Sequence, residues 1–177
     1  MALEGFVVLA PDFLSPLGGT PADEEKAREM FSQLDPAKTA ANGVATVAFL
    51  KGHEGVNGKV GAVGFCWGGG TVNNIAIASP DLGAGVAYYG AQPKDAAAIG
   101  KIKAPLLLHY AGMDERINAG IDAYKAALTA AGKEFTVYIY EGVQHAFNND
   151  TSEARYDMNA AKLAWDRTVA FFKEKLG

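Results

Sequence analysis

The sequence predicts a three-layer α/β/α fold on a mostly parallel sheet, in one domain over residues 1–177. Three observations predict it. Short apolar runs recur along the chain, most of them continuously apolar rather than alternating, as in strands covered on both faces. Amphipathic stretches of helical length lie between them, and strand–helix alternation implies right-handed crossovers. The chain is 177 residues long, 49% hydrophobic and 20% charged, which is enough to bury one sizeable core without a disulfide or metal staple.

The first run, Gly5–Ala10, reads as a strand. A helix over Pro21–Leu34 follows, with Thr20 as its N-cap, Pro21 at its first position, and Asp23, Glu24 and Glu25 at the positive end of its dipole. Pro36–Lys51 reads as the next helix and Lys59–Phe65 as the next strand. Gly68–Ala78 is then a helix, and Ala84–Tyr88 and Pro105–Tyr110 are strands. Ala119–Ala131 is a helix closed by Gly132, where a residue with positive φ belongs. Phe135–Tyr140 is the last strand and Tyr156–Lys175 the last helix. No repeat, low-complexity tract or linker divides the chain.

Sixteen Lys+Arg stand against twenty Asp+Glu, for a net charge of −4. That argues against a nucleic-acid surface and against docking on anionic lipid, both of which need clustered positive charge. The single cysteine, Cys66, excludes an internal disulfide framework and fits a reducing compartment. The N-terminus has Glu4 early and only the short apolar run Phe6–Ala10, which is not the pattern of a signal peptide. No apolar stretch approaches the ~20 residues that span a bilayer. A cytoplasmic protein with no cofactor and no metal is therefore expected.

The most informative segment is Val60-Gly61-Ala62-Val63-Gly64-Phe65-Cys66-Trp67-Gly68-Gly69-Gly70. It sets a nucleophile-capable side chain between glycines, with an apolar strand before it and a helix after it. A nucleophile on so sharp a turn needs neighbours without Cβ atoms, the role expected of Gly64 and Gly68. The helix N-terminus is expected to favour the thiolate, and the Trp67 amide to face a developing oxyanion. Two plainer readings exist: a buried apolar cysteine, or a phosphate-cradling turn. The turn, however, has neither the Lys-Ser/Thr of a P-loop nor G-x-G-x-x-G spacing.

A thiol nucleophile needs a base, and the base an orienting acid. His53 lies in the polar stretch Lys51–Gly55 and reads as a solvated loop residue. His109 lies within an apolar strand and reads as a satisfied core residue. His145 follows the strand ending at Tyr140, at the carboxyl end of the sheet where open α/β folds build their sites, and is the best base. Asp114 follows Pro105–Tyr110 in the same way and is the best acid, whereas Asp95 and Asp122 read as ordinary solvated residues. The order nucleophile, acid, histidine is that of the α/β-hydrolase fold.

At this point the chain resembles the dienelactone hydrolases, or carboxymethylenebutenolidases. The resemblance rests on Gly5–Asp12, Asn57–Gly70, Tyr88-Tyr89-Gly90, Gly112–Asp114 and His145-Ala146-Phe147. It implies a hydrolase that cleaves a small ester or lactone through an acyl-enzyme on Cys66. His145 is then the general base and acid, Asp114 its orienting carboxylate, Trp67 an oxyanion donor and Tyr89 a pocket residue.

The same resemblance implies departures. Ahead of the equivalent of Gly5–Ala10, the family carries its first strands, a glutamate that contacts the resting cysteine, and the loop giving a second oxyanion amide. The family's substrate-binding arginine after the catalytic histidine falls in Phe147–Asp150, which holds no cation, and its second falls near Arg28. A strand is expected to be missing between Gly5–Ala10 and Lys59–Phe65, leaving an edge that self-association would close. The alternative function is a catalytically impaired hydrolase remnant serving as a binding or assembly module. A redox-sensing thiol has no resolving cysteine to work with.

Overall fold

The computed structural model describes all 177 residues. Its centre is a sheet of four parallel strands in sequential order. They are β1 (Val60–Phe65), β2 (Leu82–Tyr88), β3 (Leu106–Ala111) and β4 (Phe135–Tyr140). The helices are α1 (Glu24–Phe31), α2 (Pro36–Lys51), α3 (Trp67–Ala78), α4 (Glu115–Asn118), α5 (Ile121–Ala130) and α6 (Met158–Leu176).

Side-chain alternation divides the strands between two cores. Leu106, Leu108 and Tyr110 of β3 pack with Ile75, Ile117, Ile121, Tyr124 and Leu128 in one. Leu107 and Ala111 of the same strand join Val86, Tyr88, Phe147, Ala164 and Phe172 in the other. The β1–β2–β3 runs are almost continuously apolar, with His109 the one strongly polar side chain, because helices cover both faces.

One helix start differs from expectation and the next agrees with it. Helix α1 is capped by Asp23, whose carboxylate accepts the amides of Glu25 and Lys26, so it begins at Glu24 and not at Pro21. Thr20 serves another turn: its amide and hydroxyl both donate to Asp12, at 3.0 and 2.8 Å. Asp has the stronger acceptor, and three acidic residues in succession favour a helix start just there. For α2, Asp35 caps and Pro36 takes the first position.

The strand expected over Gly5–Ala10 is absent. The segment is not paired with the sheet, and Val7, Val8 and Leu9 are about half exposed. Its apolar composition is that of a strand, but a strand exists only where a neighbour completes its ladder. An apolar groove separates it from β1, so the sheet ends at β1.

Candidate active site

Each candidate side chain leaves the carboxyl end of a strand, and backbone hydrogen bonds stitch those ends together. The Cys66 amide donates to the Tyr88 carbonyl at 3.0 Å, and the Tyr89 amide to that of His109 at 2.6 Å. The amides of Gly112 and Met113 donate to the carbonyls of Tyr140 and Val143 at 2.8 and 3.0 Å. The loops after β1, β3 and β4 are thus held in one rigid row. Gly112 lets the last two meet, because a Cβ there would stand 2.9 Å from the Tyr140 carbonyl oxygen.

Cys66 sits on the turn between β1 and α3 with φ 53 and ψ −117. A side-chain residue rarely adopts such a φ, and it persists only where the surroundings over-determine it. The close packing comes from Gly64, whose missing Cβ would strike the Gly68 carbonyl, and from Gly69 and Gly90, which abut each other's backbones. The space expected to require Gly68 is open: a Cβ there meets nothing within 4 Å. What Gly68 presents to the turn is its carbonyl group, not the absence of a side chain.

His145 Nε2 lies 3.1 Å from Cys66 Sγ, and His145 Nδ1 lies 2.5 Å from Asp114 Oδ2. Asp114 is buried and also caps α4, its Oδ1 accepting the Ile117 amide at 3.3 Å. One carboxylate oxygen therefore fixes the helix while the other faces the imidazole. With Nδ1–H held by Asp114, Nε2 carries the lone pair toward sulfur.

Burial pushes the Cys66 thiol up from its ordinary range, and the Asp114 charge adds to this, while Arg155 and Arg116 act in the opposite sense. Burial thus opposes the thiolate that the helix N-terminus is expected to favour. Desolvation is the largest of these influences, ahead of the two arginine charges.

The site opens into a shallow bowl lined by Met113, Asp114, Arg116, Gln144, His145 and Arg155. Arg116 and Arg155 were not singled out from sequence. The one signal available was proximity in the chain, Arg116 lying two residues after Asp114. Arg28 is elsewhere, on the exposed face of α1 in an i,i+4 pair with Glu24. Tyr89 is only 2% exposed. It does not line the bowl but lies beneath it, its ring 4.9 Å from that of His145 and 5.4 Å from that of Phe147. Trp67 opens α3, so its amide is one of the first-turn donors with no intrahelical acceptor. Its indole packs on Phe13 and Phe31.

The other histidines lie where the sequence puts them. His53 is exposed and bonds to the Glu54 carbonyl. His109 is fully buried, with Nδ1 2.9 Å from the Tyr140 hydroxyl and Nε2 3.1 Å from Thr168 Oγ1.

The profile of the dienelactone hydrolase family matches residues 1–176. The chain belongs to the dienelactone hydrolase family. Within that family it is similar to protein usf of Aquifex pyrophilus, at 38% identity over 180 residues covering 99% of this chain and 78% of that protein. A Saccharolobus solfataricus protein named "Putative carboxymethylenebutenolidase" is 37% identical over 128 residues, 70% of this chain and 49% of its own. The chain thus spans about half the length of that relative. The crystal structure of a "Putative Dienelactone Hydrolase" from Klebsiella pneumoniae superposes with a TM-score of 0.75 at 28% identity, covering 82% of this chain and 65% of that one. No helix in the structure is long and apolar enough to cross a membrane.

Proposed function

We propose that Cys66, His145 and Asp114 form a catalytic triad that hydrolyses a small carboxylic ester or lactone through an acyl-enzyme. The observation that carries this reading is the continuous line from Cys66 Sγ through the imidazole of His145 to the Asp114 carboxylate. Family membership and the strained turn at Cys66 support it.

In the first half-reaction, His145 Nε2 takes the thiol proton as Sγ attacks the carbonyl carbon. The carbonyl electron pair moves to oxygen, where the Trp67 amide is the donor on this chain. When the pair returns, the C–O bond to the alcohol portion breaks and that oxygen receives the proton from Nε2. A lactone would leave its alcohol attached to the acyl group. In the second half, Nε2 deprotonates water, the water oxygen attacks the thioester carbon, and the C–S bond breaks. Sulfur regains its proton from the imidazole. Asp114 stays ionised and stabilises the imidazolium in both halves.

The test is a p-nitrophenyl acetate assay comparing the wild type with Cys66→Ala. A nitrophenolate burst that matches the enzyme concentration and vanishes in Cys66→Ala is expected. Absence of any Cys66-dependent burst across the pH range would sink the reading, and is what the non-catalytic alternative requires.

A further inference from the structure

The chain contains the dipeptide Asn-Gly twice, at 42–43 and at 57–58. Asparagine is thermolabile, and a following glycine leaves no Cβ to keep the next backbone nitrogen from its side-chain carbonyl. The fold treats the two copies differently. Asn42 and Gly43 lie in the middle of α2. There the Gly43 amide belongs to the helical ladder, and the Asn42 side chain tilts back toward the helix N-terminus, away from that amide. Gly43 is also buried against Ile75.

Asn57 and Gly58 lie in the loop between α2 and β1, with Asn57 exposed. Gly58 has φ 78, and its amide donates to no atom of the chain. The Asn57 side chain folds over this peptide, because its Oδ1 accepts the Lys59 amide at 3.0 Å. Such a turn carries Cγ toward the intervening Gly58 nitrogen. The Lys59 amide is also a donor for negative charge gathering on Oδ1 under attack. On its other side, Asn57 Nδ2 donates to the carbonyls of Leu176, at 2.9 Å, and Gly177, at 3.4 Å. The side chain is pinned in place with its carbonyl polarised and the neighbouring N–H unclaimed.

We propose that Asn57–Gly58 is a site of spontaneous modification, at which Asn57 becomes isoaspartate or aspartate, whereas the same dipeptide in α2 stays intact. The Gly58 nitrogen loses its proton to hydroxide and bonds to Asn57 Cγ. The Cγ–Nδ2 bond breaks, ammonia leaves, and a succinimide ring remains. Water then adds to one ring carbonyl. Opening at the former main-chain carbonyl gives isoaspartate, and opening at Cγ gives aspartate. The triad takes no part, so the inference stands apart from the function proposed above.

Either product removes the two donors that hold the end of α6 and sets a carboxylate against carbonyls at the negative end of that helix. The Lys59 ammonium, beside Gly177, offsets part of the repulsion. Leu176 covers Gly61 of β1 and Gly83 of β2, so the change loosens the lid over the start of the sheet.

The test is to age the full chain at neutral and at alkaline pH, folded or in guanidinium, and then digest it with trypsin. Cleavage after lysine releases the two sites separately, in residues 39–51 and 52–59. In the folded chain, peptide 52–59 is expected to show the amide-to-acid mass change at least about tenfold faster than peptide 39–51, with an isoaspartyl form present. The rate should rise with pH, because the Gly58 nitrogen must deprotonate. In guanidinium the two peptides should convert at similar rates. The aged folded chain should melt roughly 2–4 °C below the fresh one. Asn57→Gln, whose longer side chain disfavours the five-membered ring, should abolish both the conversion and the drop.

Equal conversion of the two sites in the folded chain would overturn the proposal. So would a peptide 52–59 that converts in guanidinium but not in the folded chain, because the fold would then shield both sites alike. A melting temperature that does not fall on conversion, or falls equally in Asn57→Gln, would overturn the consequence drawn for α6.

Discussion

His109 and His145 belong to neighbouring parts of one sheet, yet the protein uses the same side chain in opposite ways. His109 lies within β3, completely enclosed. Arg167 donates to the Tyr140 hydroxyl, which donates to His109 Nδ1, while Nε2–H and the Tyr88 hydroxyl both donate to Thr168 Oγ1. Thr168 in turn donates to the Ala164 carbonyl. Every polar atom is matched with the imidazole neutral, and burial holds its pKa down at about 3. His145 stands past the end of β4, a quarter of its side chain exposed, between a buried carboxylate and a thiol. One ring is sealed into a finished network, and the other keeps a lone pair aimed at a group that can react. On the proposed function, position relative to the strand end, not residue type, separates the structural histidine from the catalytic one.

If that contrast is right, removing His145 should cost activity and little stability. His145→Ala is expected to lower kcat for p-nitrophenyl acetate by up to on the order of 10⁶-fold, about as much as Cys66→Ala, because groups acting as a unit do not add. Thermal melting should barely move. Asp114→Asn leaves the ring in place but favours the wrong tautomer, and should cost roughly 10⁴-fold, read in the same assay.

The reverse pattern is expected of His109. In His109→Leu the hydroxyls of Tyr140 and Thr168 each lose a partner, which should cost about 1–3 kcal/mol in urea unfolding. The rate of Cys66 alkylation by iodoacetamide should be unchanged. An altered alkylation rate would show that the two histidines are coupled and weaken the division drawn here.

The pH dependence sharpens the comparison further. The His109 pKa is about 3 in the folded chain and near 6.5 when unfolded. Below pH 6.5 the unfolded chain therefore binds a proton that the folded chain refuses. The contribution of His109 is full above that value and is lost as pH falls from 6.5 toward 3. Urea midpoints followed over this window should fall in the wild type and fall less steeply in His109→Leu. The smallest effect belongs to Arg155, whose charge opposes the upward push of burial on Cys66. Arg155→Ala should move the pH midpoint of thiol alkylation upward, with the melting temperature unchanged.

The same division explains how much could be read from the residues alone. The runs that became β1, β2 and β3 were legible because helices cover both their faces and so favour a nearly continuous apolar sequence. In contrast β4, with Thr136 and Ile139 exposed, was legible from its β-branched and aromatic residues. Cys66, Asp114 and His145 were legible because each follows such a run. Gly5–Ala10 has the same composition but no hydrogen-bonding neighbour, and a neighbour is not encoded within the six residues themselves. Thr20 and Asp23 both suit a helix start, and the choice turned on Asp12, which claims Thr20 from eight residues away. The roles of Gly69 and Gly90 depend on backbone contact between two loops, which no local motif reveals. The upward push on the Cys66 thiol comes from burial, and burial belongs to the folded chain. Arg116 and Arg155 reach the bowl from a short helix and a loop that periodicity does not mark.

Phe172 and Leu176 cover Gly61, and Phe172 also seats Phe6. The ribosome makes these partners in the wrong order for early folding. At ~5–20 residues per second, roughly ten seconds separate the synthesis of Gly61 from that of Phe172. During that interval the strand that ends at Cys66 has no lid on its α6 side, and the segment around Phe6 has nothing to rest on. Helix α6 is thus made long after the segments it covers, and a nascent chain stalled short of it would present an open sheet to the cell's chaperones.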